Sequence, residues 1–387
     1  MIVLHIVALA LSVATLIGTV YQIAAALLVR RFMRAPRPEP RQQPPVSVLK
    51  ALHGDEPGLT DNLRALCRQS YPQCQIVCGT LDPADPARRV AAAVRDEFAM
   101  VEFEVVAGTG ADQSAAVANR KVANLEMLLA HARHGIVAFA DADVRADKHY
   151  LDDLAATLER PGAGIATCLY VGLPEPDPWS RLEALWVNHA FLPSALVARA
   201  IGRRDGCFGA TIALSRATLD RAGGLAPLRM LLADDWALGA AVRRLGLSIE
   251  LVARPVDMVV SHRDFASMFA HELRWARTIA SLDRAGYVAS ILTQPVVLGL
   301  VALLAGGFGA AYLVQFIVAL LVRFTAIAIQ ARAMSLTRAP WYLLVGREFL
   351  TFAVFVAALS GRTVRWRGSR YRILRDGSMQ PLEDRPK

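Results

Sequence analysis

Asp141 and Asp143 follow five apolar residues in the run IVAFADADVRAD (136–147), and Asp147 closes it. Carboxylates two residues apart repel one another, and Arg145 is the only cation before Lys148. The cluster therefore calls for a positive partner. Hard divalent cations prefer carboxylate oxygens, and such a cation can neutralise a departing diphosphate. A calcium loop of the EF-hand type is excluded, because its sixth position requires Gly and its twelfth usually Glu, where this chain has Ala146 and Asp152. A phosphatase with an aspartyl nucleophile also places Asp-x-Asp after an apolar strand, but that strand usually opens its domain and this one comes fourth. Two readings stay open on this motif. It is either a seat for Mg²⁺ or Mn²⁺ against the diphosphate of a nucleotide-sugar, or a solvated strand end. Asp147 lies beyond the turn and is expected to cap the following helix.

Three further stretches could carry chemistry. LLADDWALG (231–239) puts Asp234 and Asp235 at a helix start. One carboxylate there is expected to cap the helix, leaving the other free to act as a general base. HELRWART (271–278) places His271, Arg274 and Trp275 on about one helical face. A guanidinium suits phosphate and an indole packs on a sugar or base. The same pattern describes an amphipathic helix at a membrane surface with a snorkelling Arg. NRKVANL (119–125) opens a helix with Asn119, Lys121 and Asn124, where a lone Lys is ordinarily a solvated charge. HGDEPGL (53–59) reads as a polar turn.

The elements that must position these residues alternate in type. PVSVLKAL, QIVCGTLD, VEFEVV and GIVAFADAD read as strands, separated by the helices PGLTDNLRALCRQ, DPARRVAAAVRDEF and NRKVANLEMLLAHA. This rhythm predicts an α/β fold with a mostly parallel, Rossmann-like sheet and helices on both faces. Such sheets bind ligands beyond the carboxyl ends of their strands. Asp82, Asp141 and Asp143 all fall at such ends.

The flanks are apolar. Hydrophobic residues make up 54% of the 387 and charged residues 20%, with a mean hydropathy of +0.34. That balance points to a membrane protein with a large aqueous part. Residues 2–29 are long enough to cross a hydrocarbon core of about 30 Å. They lack the basic n-region of a signal peptide and exceed its apolar length. Arg30, Arg31, Arg34, Arg37 and Arg41 follow, so the positive-inside rule puts the N-terminus outside and the main domain in the cytoplasm. Prolines 36, 38, 40, 44 and 45 then predict a stiff, non-helical spacer. Residues 288–305, 308–329 and 341–359 could each be membrane segments, with a break at Gly306–Gly307. Three crossings would leave the basic tail (Arg362, Arg365, Arg367, Arg370, Arg372, Arg375) outside. One segment is therefore expected to be re-entrant or interfacial, and Arg347 and Glu348 interrupt the last. Residues 179–201 embed Asn188 and His189 in apolar surroundings broken by Pro193, and are expected to form an interfacial helix pair. Much of the formal net charge of +9 sits in the juxtamembrane segment and tail. Its partner is thus an anionic bilayer and not nucleic acid. The five cysteines fit no disulfide framework and are expected to be reduced.

In this order the motifs resemble glycosyltransferases of the GT-A fold, and more narrowly family 21, the ceramide glucosyltransferase family with its bacterial branch that glycosylates hopanoid lipids. The resemblance runs through SVLKALHGDEPGL, LDPADP, NRKVANL, DADV, GGLAPLRMLLADDWALG, HELRWART and WRGSRYRILRDG. It implies that Asp82 binds the uridine end of a UDP-sugar and that Lys121 and Asn124 support the donor. Asp143, helped by Asp141, would hold a divalent metal. Arg274 would stabilise the departing UDP, Trp275 would contact the donor, and Asp235 would be the catalytic base of an inverting transfer. His189, Asp234 and His271 are the candidate acceptor contacts. His271 departs from the pattern, which has Gln or Arg at that position. The implied organisation is an N-terminal transmembrane helix (1–30), a linker (31–45), a cytoplasmic GT-A domain (46–263), an interfacial helix (264–285), C-terminal membrane segments (286–360) and a basic cytoplasmic tail (361–387). The implied protein is a multi-pass enzyme of a bacterial inner membrane. It would pass N-acetylglucosamine to a hopanoid polyol such as bacteriohopanetetrol, with glucose to ceramide as the alternative. A processive polysaccharide synthase shares the acidic pattern, but three short segments are too few to line a polymer channel. A degenerate, non-enzymatic adaptor would not be expected to keep every acidic position.

Overall fold

The computed structural model of the chain describes residues 2–109, 118–366, 369–374 and 377–382. A long helix, α1 (Ile2–Arg34), leads through an irregular segment into the first half of the sheet. That half comprises β1 (Val46–Ala51), α2 (Leu59–Cys67), β2 (Cys74–Thr80), α3 (Pro86–Glu97), β3 (Glu102–Ala107), α4 (Arg120–Leu129) and β4 (Ile136–Ala140). Next come β5 (Val144–Arg145), α5 (Tyr150–Leu158), β6 (Ala163–Thr167), β7 (Tyr170–Pro174), α6 (Pro178–Trp186), α7 (Leu192–Ala200) and β8 (Thr211–Ser215). The domain closes with α8 (Arg216–Arg221), α9 (Asp234–Arg244), β9 (Ser248–Leu251), β10 (Val256–Val260) and α10 (Phe265–Leu282).

The main sheet runs β3-β2-β1-β4-β8-β6-β9. β1 pairs in parallel with both β2 and β4, and β8 is antiparallel to β4 and β6. Chain order therefore reverses beside β1, and the crevice beyond the carboxyl ends of β1 and β4 is the switch point at which open sheets bind ligands. Strand periodicity explains the two cores. Val48 and Ile76 point to one face, against Leu63 of α2, Val94 of α3 and Leu154 of α5. Leu49 and Val77 point to the other, against Val122 and Leu128 of α4 and Val242 of α9.

The remaining helices are α11 (Arg284–Ala289), α12 (Pro295–Ala305), α13 (Ala310–Ala333) and α14 (Trp341–Leu359). Among the described residues three helices, α1, α13 and α14, are long and apolar enough to cross a membrane. The expected segment 288–305 is not one helix. The stretch Arg284–Thr293 meets α12 at 73°, so α12, at about 1.5 Å per residue, reaches only about half the depth of a bilayer core. Gly307 supplies the positive φ of 63° that turns the chain from α12 towards α13. α1 packs on both α12 and α13. The buried charges Arg323, Arg347 and Glu348 within these helices are paired. Arg323 donates to Glu348 at 2.8 Å, to Gln22 at 2.9 Å and to the carbonyl of His189 at 3.0 Å. Arg347 grips Glu272 of α10 through two bonds, 2.5 and 2.9 Å long.

Two expectations are corrected. α1 runs on through Arg34, so helix replaces spacer over residues 31–34. Pro193 does not split residues 179–201. A π-helical turn over Val187–Phe191 joins α6 to α7, with the Leu192 N–H donating to the Val187 carbonyl. The basic tail has structure of its own. It folds into β11 (Thr363–Trp366), β12 (Ser369–Ile373) and β13 (Met379–Leu382), an antiparallel sheet. Val364, Ile373 and Met379 pack on Ala118 and Leu232, and the Met379 N–H donates to the Met230 carbonyl at 2.8 Å. Arg362, Arg365, Arg370 and Arg372 stay exposed, while Arg367 and Arg375 lie outside the described residues.

Candidate active site

The acidic residues converge on the switch point. Asp141 and Asp143 follow β4, whose apolar side chains bury the strand up to Ala140. Lys121 comes from the first turn of α4 and meets the Asp141 carboxylate at 2.5 Å, and it donates to the Gly209 carbonyl at 3.4 Å. It is thus an ion-paired group and not a solvated one. Burial opposes its charge, but the carboxylates of Asp141, Asp234 and Asp235 hold its pKa above the usual lysine value.

Asn119 fixes that turn. Its Oδ1 accepts from the Val122 N–H at 3.1 Å as the N-cap of α4. Its Nδ2 donates to the Leu231 carbonyl at 2.9 Å and to Asp234 at 3.1 Å. One side chain therefore ties α4 to the start of α9. Neither Asp234 nor Asp235 caps α9, since Ala233 is the N-cap residue. Both sit in the first turn, where the helix dipole favours negative charge. Asp235 Oδ1 accepts the Trp236 N–H at 2.7 Å. A Cβ on Gly209 would stand 3.0 Å from the other oxygen of Asp235, so this glycine lets the 206–209 loop approach the carboxylate.

The electrostatics separate the acids. Burial, then Asp141 and Glu56, push Asp143 up to about 8. Burial, then Asp234, raise Asp235 to about 6, with the Trp236 amide and Lys121 acting in the opposite direction. Asp143 Oδ1 is buried with no hydrogen-bond partner. A carboxylate oxygen in that state, two residues from Asp141, fits a divalent cation. Lys50 and Lys121 only partly offset the burial of that carboxylate, and a bound cation would complete the compensation that a buried carboxylate requires.

Lys50 is the residue that sequence reading missed. It lies fully buried in β1 and donates to the carbonyls of Asp141 at 2.5 Å and Val144 at 3.0 Å. It thereby braces the turn that carries Asp141 and Asp143. Burial lowers its pKa, against the pull of Cys78, Asp143 and Asp141. Its signal was visible as a single charge within the apolar strand SVLKAL.

The other expected residues divide into two groups. Asp82 follows β2 half-exposed and accepts the Ala84 N–H at 2.8 Å. Its neighbour Asp85 caps α3 and accepts the Gly54 N–H at 2.9 Å, tethering the 53–59 turn. Arg274 and Trp275 lie on α10, with Trp275 among Trp186 at 5.4 Å and Tyr170 at 6.3 Å between ring centroids. Asn124 is buried away from solvent and donates to the carbonyls of Gly79 at 2.8 Å and Leu52 at 3.2 Å. His189 is buried against Gln330 of α13, with Nδ1 3.0 Å from its Oε1. His271 pairs with Glu183 at 3.0 Å. Asp147 does not cap α5. It accepts from Arg37 of the linker and from the His149 N–H. All five cysteines are free thiols.

A mostly parallel sheet, an Asp-x-Asp at its switch point and a separate acid on the facing helix define a glycosyltransferase of the GT-A fold. The chain matches Glycosyl transferase family 21 over residues 10–379 and belongs to that family. Its fold is similar to that of a mannosyltransferase, PcManGT from Pyrobaculum calidifontis, solved in complex with GDP-Man and Mn²⁺. The TM-score is 0.52 at 19% identity, over 92% of this chain and 98% of that one. S. aureus TarS 1-349 in complex with UDP-GlcNAc gives a TM-score of 0.40 at 14% identity, over 88% of this chain and 99% of that one.

Proposed function

We propose that the protein is a membrane-bound, inverting transferase that moves a sugar from a UDP-sugar to a hydroxyl of a membrane lipid. One observation carries this reading. Lys121, Asp141, Asp143 and Asp235 meet at the sheet's switch point, in a domain against which the apolar helices α1, α13 and α14 pack, with α12 held on α1 and α13.

Asp82 binds the uridine end of the donor. Asp143 and Asp141 would hold Mg²⁺ or Mn²⁺, whose charge neutralises the diphosphate when bound. Lys121 and Arg274 stabilise negative charge on the leaving UDP. Asn124 keeps the ends of β1 and β2 in register beside the donor. Trp275 forms an aromatic wall. Asp235, with a pKa near 6, takes the proton of the acceptor hydroxyl while the acceptor oxygen attacks the anomeric carbon and the bond to UDP breaks. A single displacement with one base inverts the configuration and gives a β-glycoside. Asp234 orients the start of α9, and His189 and His271 act on the acceptor side only through the helices they fasten.

Packing and parity support one membrane arrangement. The tail sheet rests on the segment before α9, so the tail shares a side with the catalytic domain. α12 and α13 then form a hairpin that enters and returns, and α14 lies in the interface with Arg347 and Glu348 turned inward. The arginines after α1 favour a cytoplasmic position for that side, and the proposed location is a bacterial inner membrane.

The acceptor is a hopanoid polyol receiving N-acetylglucosamine, with ceramide receiving glucose as the alternative. Purified protein in nanodiscs with Mn²⁺ and each of UDP-glucose, UDP-galactose and UDP-N-acetylglucosamine is the decisive screen. Transfer from UDP-N-acetylglucosamine to bacteriohopanetetrol supports the reading. Transfer only from UDP-glucose to ceramide selects the alternative, and a product longer than two sugars points to a polymerase.

A further inference from the structure

Away from the switch point, three side chains from distant parts of the chain meet beneath α10. Glu183 comes from α6, His262 from the turn after β10 and His271 from α10. His271 Nδ1 lies 3.0 and 3.1 Å from the two oxygens of Glu183, and His262 Nε2 is in hydrogen-bond contact with Oε2. One ligand atom from each residue lies within 4.8 Å of the other two. The Glu183 side chain is 2% exposed and that of His262 11%, while His271 is 30% exposed. The group is therefore closed on the protein side and open beside His271.

We propose that Glu183, His262 and His271 form a second cation site that takes one Zn²⁺-type transition metal. Two imidazoles and one carboxylate are a donor set that zinc accepts, and three protein ligands leave its fourth position for water. The all-oxygen pair Asp141/Asp143 suits Mg²⁺ or Mn²⁺ instead, so ligand softness would sort two different metals between the two sites. A metal here closes a clasp between α6, the β10 turn and α10. It acts one turn before Arg274 and Trp275, with the His271 ring 4.6 Å from the Trp275 ring. Its role is to fix α10 against the sheet, which makes these three positioning residues and not catalytic ones.

The test uses the full chain in detergent, passed over a chelating column and then offered Zn²⁺ in the presence of millimolar Mn²⁺. One equivalent of zinc should remain bound below micromolar free Zn²⁺ in competition with a chromophoric chelator. It should persist in Asp143→Asn, which removes the other site, and weaken at least tenfold in His262→Asn and in His271→Gln. Zinc should raise the Tm of Asp143→Asn by several degrees and leave both histidine variants unchanged. Co²⁺ in its place should quench Trp275 fluorescence and show tetrahedral d–d bands. Wild-type binding weaker than about ten micromolar, zinc that leaves with Asp143→Asn, or zinc retained by both histidine variants overturns the proposal. The wild-type titration decides it even where a variant fails to fold.

Discussion

Asp235→Asn is the most informative single change. The carboxylate sits near pKa 6 against an ordinary 3.8 because partial desolvation, then the neighbouring Asp234 charge, oppose its ionisation. Two consequences follow, and they have opposite signs. As a general base it is active when ionised, so kcat/KM should rise about tenfold per pH unit below 6 and level off by about pH 7. Asn cannot accept the proton, and losing a positioned base costs about 10²–10⁴-fold in rate, or about 3–5 kcal/mol of barrier. For stability, a carboxylate whose folded pKa lies above its unfolded value weakens the fold as pH rises from about 4 through 6. Two pH units correspond to about 3 kcal/mol. Asp235 is partly exposed, so solvent screening reduces this to about 1–2 kcal/mol. The variant should therefore be inactive and, at pH 7.5 without metal or donor, no less thermostable than wild type. UDP affinity should stay within about threefold. Transfer rates across pH 5–8, thermal unfolding and UDP calorimetry check the three parts. Retained turnover above a tenth of wild type, or a rising pH limb that survives in the variant, would refute the assignment of Asp235 as base.

Three further outcomes are expected. Lys50→Met should leave the Asp141 and Val144 carbonyls without their donor and loosen the turn carrying the acidic pair, costing about 1–3 kcal/mol of stability and at least tenfold in Mn²⁺ affinity. Unchanged Mn²⁺ titration by calorimetry would remove Lys50 from this role. Glu272→Gln should destabilise by about 3–5 kcal/mol because Arg347 is left buried without its counter-charge, whereas the double change Glu272→Met with Arg347→Leu should recover most of that loss. Thermal unfolding in nanodiscs reads both. Truncation after Ser360 removes the strand that pairs with Met230–Leu232, so activity should fall at least tenfold with donor affinity nearly kept. Full activity of the truncated chain would show the tail sheet to be dispensable.

Much of the fold was legible because it is written locally. The apolar runs of β1 to β4 and the helices between them gave the α/β rhythm, and strand ends gave the places of Asp82, Asp141 and Asp143. Residues 2–29 announced a membrane-length helix by composition alone. What the sequence could not state were contacts between residues far apart. Lys121 looked like a surface lysine until α4 was set against β4, which made it the counter-ion of Asp141. Asp147 looked like a cap until the linker brought Arg37 to it. Pro193 looked like a break because nothing local announces a π-helical turn. Arg347 and Glu272 stand 75 residues apart, and Glu183 and His271 stand 88 apart. No periodicity links such pairs, because each partner is chosen by how helices pack and not by the residues beside it. The tail was read correctly as basic and missed as a sheet, since its few apolar residues make sense only against Ala118 and Leu232. Residue type and spacing thus determined which chemistry was available, and only the tertiary structure decided which of those residues share a site.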